Sequence, residues 1–205
     1  MFITFEGIDF SGKSTQVKLI EKFLNNRGEK VKLIREPGGT EISEKIRELL
    51  LDKKNSKMVS GTELLLFSAS RIQLINEIIL PHLENNYYVI SDRFHDSLTA
   101  YQGFGRGISL DFISMLNDFV LQNCKPDITF FIDIPLCEVE RRKSLEKDFV
   151  PDRIEKSKDD FYQKVRNGYL EIASKEERFI IINGLNSIEE IHNQIKNLIL
   201  EKSDK

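Results

Sequence analysis

This sequence predicts an α/β fold, a parallel sheet with helices on both faces, and three observations carry the prediction. Short β-favouring apolar runs alternate with segments of helical periodicity along the whole chain. Such alternation demands right-handed crossovers, and therefore parallel strands. Tyr87-Tyr88-Val89-Ile90-Ser91 is apolar throughout, as in a strand buried on both faces. Near the start, Gly7, four spacers and Gly12-Lys13-Ser14 make the phosphate-binding loop pattern between a strand-like and a helix-like segment, the context that pattern requires.

Taken in order, residues 1–5 read as the first strand. Residues 16–24 continue as a helix, with Val17, Ile20, Phe23 and Leu24 on one side. Asn26-Arg27-Gly28 is a stop signal. Residues 31–35 form a strand, and Glu36-Pro37-Gly38-Gly39-Thr40 has to be loop. Residues 41–51 are a helix with Ile42, Ile46, Leu49 and Leu50 on one face, and residues 52–61 are polar loop. The longest helical pattern covers 62–83, where Pro81 should kink or end it. Strand 87–91 leads to Asp92-Arg93-Phe94, then a short helix over 97–101, then Gly103, Gly105 and Gly107 as a flexible connection. Helix 110–121 and strand 128–133 follow, and Pro135 opens another helix. Residues 143–158 are highly charged, 161–173 helical, and 179–183 a strand. The last helix, 187–200, has Ser187 and Glu190 spaced as a capping box, and 201–205 form its frayed end.

Ligands of such sheets bind beyond the C-terminal strand ends. Those ends carry residues 6–12, Arg35 with the Pro-Gly-Gly loop, Ser91-Asp92-Arg93, and Asp133. In the loop, glycines let backbone N–H groups close around a phosphate, and the helix N-terminus adds partial positive charge. Lys13 reaches phosphates as a point charge, and the Ser14 hydroxyl suits Mg²⁺. Asp92 ends an apolar strand beside that loop, where a carboxylate can hold Mg²⁺, and Arg93 can clamp a second phosphate; a surface ion pair is the plainer alternative. Arg35 and Arg47 could meet an anion, though Arg47 could equally pair with Glu44 three residues away. Phe67 and Arg71 share a helix face, where a ring and a guanidinium can hold a planar heterocycle; Phe67 alone would read as core. Arg141, Arg142, Lys143, Lys147 and Arg153 form a basic run, either a solvated face or a closing lid that brings cations to a transferring phosphoryl group.

Composition narrows the classes. With 205 residues, 40% hydrophobic, the chain fits a single domain, residues 1–205, with a lid segment at about 141–158. A net charge of −3 argues against a nucleic-acid partner. Cys124 and Cys137 lack metal-ligand spacing and read as reduced, buried thiols of a cytoplasmic protein. Glu6 interrupts the apolar start, so no leader is expected, and no run is expected to cross a membrane. A guanine-reading Asn-Lys-x-Asp segment, which a regulatory nucleotide switch would need, is absent from the sequence.

Several further segments raise a resemblance that spans nearly the whole chain. They are Phe5-Glu6-Gly7-Ile8-Asp9, Arg35-Glu36-Pro37-Gly38-Gly39-Thr40, Glu63-Leu64-Leu65-Leu66-Phe67 with Ser70-Arg71, Asp92-Arg93-Phe94, Ala100-Tyr101-Gln102-Gly103 and Pro126-Asp127-Ile128-Thr129. Together they resemble the thymidylate kinase family. The resemblance implies a P-loop NTPase fold with five parallel strands in the order 2-3-1-4-5, a short lid, and a homodimer. It implies ATP as co-substrate on Gly7, Ile8, Asp9, Phe10, Ser11, Gly12, Lys13, Ser14 and Thr15, with Mg²⁺ at Ser14 and Asp92. It implies dTMP as acceptor. Phe67 stacks on thymine, Arg71 bonds its 4-carbonyl, and Ser97 and Gln102 lie near the base. Tyr101 lies under the sugar, Asp9 near the 3′-hydroxyl, and Arg93 with Arg35 and Arg47 by the phosphate. Lys13, Arg93 and Asp9 then serve the transfer, with Arg142, Lys143, Lys147 or Arg153 as lid cation. Position 10 departs from the family, where bacterial members commonly place glycine and eukaryotic members a catalytic arginine. Phe10 can do neither job, which throws the cationic role onto the lid. The family also implies a cis Glu36–Pro37 bond.

Overall fold

Side chains alternate across a strand, and β1 (Phe2–Glu6) uses both faces. Ile3 and Phe5 enter one core layer with Val17, Ile20 and Leu24 of α1 (Lys13–Asn26). Phe2 enters the other, with Val89 and Leu74. Thr4 and Glu6, polar yet fully buried, follow Phe2 by alternation. The structure, a computed structural model, describes residues 1–122, 124–146, 152–154 and 159–203.

The remaining strands are β2 (Val31–Arg35), β3 (Tyr88–Asp92), β4 (Ile128–Asp133) and β5 (Phe179–Asn183). All pairs are parallel, and the five-stranded sheet has the order β2-β3-β1-β4-β5, as the resemblance implied. Register levels the strand ends: Arg35 pairs with Asp92, Asp92 with Phe5, and Glu6 with Phe131. The functional loops therefore leave the sheet at one height. On the α1 face lies α9 (Ile188–Ser203), whose Ile191, Ile195 and Ile199 are buried. Ser187 and Glu190 close the capping box at its start, with bonds of 2.8 and 3.2 Å. The other face is covered by α2 (Glu41–Leu51), α3 (Ser60–Leu74), α6 (Leu110–Leu121) and α8 (Asp159–Ala173).

Several expectations change. The long helix does not end at Pro81: α3 passes into a π-helical turn, Ile75–Ile79, and then α4 (Leu80–Glu84). Pro81 sits in the first turn of α4, where its missing N–H is tolerated, and the π turn resets the hydrogen-bond register just before it. By length and composition, Ser60–Glu84 is able to cross a membrane, which the sequence reading did not anticipate. Here it packs as a core helix against α2 and α6, with Glu63 and Arg71 buried on it. The polar loop after α2 holds a 3₁₀ turn, Lys53–Asn55. The shared apolar face of α2 is only partly used: Leu50 is buried, while Ile42 and Leu49 are about half exposed. Cys137, on α7 (Leu136–Lys143), is exposed rather than buried. Of the frayed end, 201–203 are helical, and 204–205 lie outside the described residues.

Gly103 and Gly105 are not a flexible connection either. After α5 (His95–Leu98) the chain continues as a π-helical segment, Thr99–Gly105, packed against α8. A Cβ on Gly105 would lie 2.5 Å from Phe161 Cε2 and 3.0 Å from Val165 Cγ2. Glycine is there for close approach, not for motion. Gly105→Ala is therefore expected to cost about 1–3 kcal/mol through overpacking, read as a lower urea midpoint. An unchanged midpoint would return the segment to the role of a loose connection.

Candidate active site

The levelled strand ends surround a cavity of about 910 Å³. Residues 9–16 line one side of it. Gly7, with φ 140°, begins the loop: a Cβ there would lie 2.7 Å from the carbonyl oxygen of Ile132, so a side chain would push the loop off β4. Lys13, the first residue of α1, folds back so that its Nζ donates to the Ile8 carbonyl at 2.9 Å. Burial and the nearby Arg93 charge pull its pKa down to about 8. A bound polyphosphate would restore the missing counter-charge. The Ser14 hydroxyl donates to Asp92 Oδ2 at 2.7 Å, so the two residues expected to hold a metal meet.

Arg93 follows the last residue of β3 with φ 71°. This left-handed residue breaks the strand alternation, so Asp92 and Arg93 both line the cavity. Arg93 Nη2 donates to Asp9 Oδ1 at 2.6 Å and Nη1 to the Gly7 carbonyl at 2.9 Å. The Tyr101 ring lies under the guanidinium, 5.1 Å from its centre. Burial alone would raise the Asp9 carboxyl, but Arg93 and Lys13 outweigh it and hold it below its ordinary value.

Sequence reasoning missed what supports this cluster. Glu6 accepts from the Phe94 N–H at 2.7 Å and from Tyr169 Oη at 2.9 Å, and Ser97 Oγ also donates to it. Burial, and then the Asp96 charge, push the Glu6 carboxyl up to about 7. Ser97 thus braces the Asp92-Arg93-Phe94 turn through Glu6, besides lining the cavity. The signal was available: Glu6 closes an otherwise apolar strand.

The Glu36–Pro37 bond is cis, as expected. Two guanidiniums converge just after it: Arg35 Nη1 and Arg47 Nη1 both donate to the Pro37 carbonyl, at 2.9 and 2.8 Å. Arg35, not Arg47, takes Glu44, at 3.0 Å. Burial and the Arg35 charge both press on the Arg47 charge and lower its pKa. An anion between them would relieve that strain.

At the far end Arg71 is 1% exposed. Its Nε and Nη2 donate to Glu36 Oε2 at 2.8 and 2.6 Å, while its buried Nη1 has no partner among the described residues. Phe67, half-buried, lines the cavity one turn before it, with Tyr101 and Gln102. Gly184 and Asn186 of the loop after β5 also line the cavity, as does Ile188 of α9, whose carbonyl accepts from Gln16 Nε2 at 2.9 Å, a contribution that the sequence did not suggest.

The cations of the expected lid separate. Arg142 reaches the phosphate loop, with Nη1 on the Phe10 and Ser11 carbonyls at 3.0 and 3.3 Å, Nη2 on Gly184 at 2.7 Å, and Nε on Glu138 at 2.6 Å. Arg153 does not reach it: its Nε donates to the Leu50 carbonyl and its Nη2 lies 2.7 Å from Glu63 Oε2. Lys143 lies 3.7 Å from Glu140. Lys147 and most of the charged segment lie outside the described residues.

A parallel sheet of this order, with a glycine cradle at the first strand end and arginines across from it, defines a P-loop nucleotide kinase. A family model described as thymidylate kinase matches residues 5–195. The chain is 52% identical to the thymidylate kinase of Thermosipho melanesiensis, over 97% of each chain, and 44% identical to that of Mycoplasma capricolum, over 98% of this chain and 95% of the relative. It is also similar to a solved structure of thymidylate kinase from Ehrlichia chaffeensis, at 38% identity and TM-score 0.79 over 98% of each chain. The chain belongs to the thymidylate kinase family.

Proposed function

We propose that this protein transfers the γ-phosphoryl group of ATP to dTMP, giving dTDP and ADP. The observation that carries the reading is the cavity with two unlike ends: a phosphate cradle at Lys13, and the Phe67 ring beside Arg71, whose Nη1 has no partner among the described residues. Between them lie Asp9 and Arg93, where an acceptor phosphate would meet the donor.

The acceptor is already an anion, so the chain supplies position and charge rather than a strong base. Lys13 neutralises the donor phosphates. Arg93, fixed by Asp9 and the Gly7 carbonyl, clamps the acceptor phosphate, with Arg35 and Arg47 behind it. Arg142 holds the Phe10–Ser11 backbone and so shapes the cradle that a glycine at position 10 would leave looser. Phe67 stacks on the base, Arg71 donates to a base carbonyl, and Tyr101 packs under the sugar. Ser14 and Asp92 offer hard oxygens 2.7 Å apart, a donor set that fits Mg²⁺ held jointly with substrate phosphates. When bound there, Mg²⁺ would offset charge on the phosphoryl oxygens.

The reading includes a cytoplasmic location, supported by two free cysteines. It includes a homodimer, supported by exposed apolar side chains on three adjacent helices: Ile42 and Leu49, Leu65, and Met115 and Phe119. Light scattering of the purified protein reads the mass directly, and a monomer would remove that part. The deciding assay couples ADP release to dTMP, dUMP, dCMP and AMP in turn, with ATP and magnesium. The expected outcome is dTMP as the best acceptor by kcat/KM; a preference for dCMP or AMP would overturn the assignment.

A further inference from the structure

Glu63, Phe67 and Arg71 follow one another at four-residue intervals along α3, so they share a helix face. Phe67 and Arg71 line the cavity, and Glu63 lies just behind it, 1% exposed. Both of its carboxylate oxygens face donors or cations. Oε1 accepts from Gln102 Nε2 at 3.0 Å and from Arg106 Nε at 3.2 Å, and Oε2 faces Arg153 Nη2 at 2.7 Å. Burial works to raise the Glu63 carboxyl, but Gln102, Arg106 and Arg153 outweigh it, and its pKa lies below the ordinary value.

An ionised carboxylate can only accept hydrogen bonds. The two ends of a glutamine amide are otherwise interchangeable in shape, and the partner decides which way round it sits. Facing Glu63, Gln102 has to present its NH₂. Its carbonyl oxygen is then the polar atom left to face the cavity that Gln102 lines.

We infer that Glu63 is a specificity-determining positioning residue, which makes Gln102 an obligate hydrogen-bond acceptor toward the bound base. An acceptor there pairs with the ring N–H of thymine or uracil. Cytosine carries a lone pair at the same ring position and is repelled. Arg106 and Arg153 each favour the ionised carboxylate, from Oε1 and Oε2 respectively, so it stays an acceptor with either cation alone and the orientation holds before any nucleotide arrives. The inference rests on the dTMP reading above and goes beyond it by assigning the discrimination to a residue that touches no substrate.

Glu63→Gln tests it, because a neutral amide can donate or accept and frees Gln102 to turn. The readout is the ratio of kcat/KM for dTMP to that for dCMP. That ratio is expected to fall by about tenfold or more, with KM for ATP unchanged. A folded variant with the wild-type ratio overturns the inference. Gln102→Leu, which removes the acceptor itself, is expected to lower the ratio as well, and serves if Glu63→Gln does not fold; retention of the ratio there is equally fatal. Arg106→Gln loosens the same cluster without touching the amide and is expected to lower the melting temperature while keeping the ratio. An equal fall of the ratio in Arg106→Gln would mean general loosening and would also overturn the idea. Wild-type protein that ignores dTMP would sink the functional reading itself, an outcome distinct from an unchanged ratio in the variants.

Discussion

Lys13→Met is expected to lower the single-turnover rate of phosphoryl transfer by about 10²–10³-fold, the usual cost of removing one preorganised charge-stabilising donor. Nucleotide binding should weaken less, because the backbone cradle remains. A fall of less than about tenfold would hand the main cationic role to another residue. The same lysine gives a pH signature. Its free-enzyme pKa lies at about 8, lowered by burial and by Arg93. Free enzyme therefore loses the charge as pH rises through that value, and kcat/KM for ATP should decline above about pH 8. Bound phosphates favour the protonated form, so kcat should hold to higher pH. A kcat/KM profile flat to about pH 9.5 would contradict the assignment.

Arg71→Leu should damage the protein twice. It strands Glu36, which is 6% exposed and whose carboxyl burial already raises, without its cation. Breaking such a buried pair costs about 3–5 kcal/mol, read as a lower urea midpoint. On the proposed reading the variant also removes a donor to the base, worth about 1.5–3 kcal/mol for a charged hydrogen bond, or a 10–150-fold rise in KM for dTMP. The double variant Glu36→Leu/Arg71→Leu separates the two effects. Replacing a buried pair by apolar groups is often neutral, so stability should largely return while KM for dTMP stays high. If both recover together, Arg71 has no separate part in binding.

Local signals gave most of the fold. Five strands, the phosphate loop and the ends of α2, α6 and β5 followed from apolar runs, glycines and prolines within a few residues of each other. The cradle was legible for the same reason: the motif and its strand–loop–helix context are contiguous. What was not legible depends on distant partners. Glu6 meets Tyr169 across 163 positions, Glu36 meets Arg71 across 35, and Glu63 meets Gln102 across 39. Glu36 and Glu63 look like surface residues until the fold encloses them, and although Glu6 stands out at the end of its strand, its partner does not. The arginines of the basic run were indistinguishable by composition, and tertiary structure parted them, sending Arg142 to the phosphate loop and Arg153 to Glu63. Gly103 and Gly105 misled because glycine marks both freedom and tight packing, and only the neighbours tell which.

Phe10 and Arg93 are both non-glycine residues at positive φ, 63° and 71°, and both border the same cavity. An L-residue in that conformation costs roughly 1–2 kcal/mol, which glycine would not incur. A chain shaped for durability alone would carry glycine at position 93. This one keeps a guanidinium there, so the cleft's readiness for anions is set against the robustness of its own backbone. The rim of the cleft is where heat should loosen the molecule before the sheet beneath it yields.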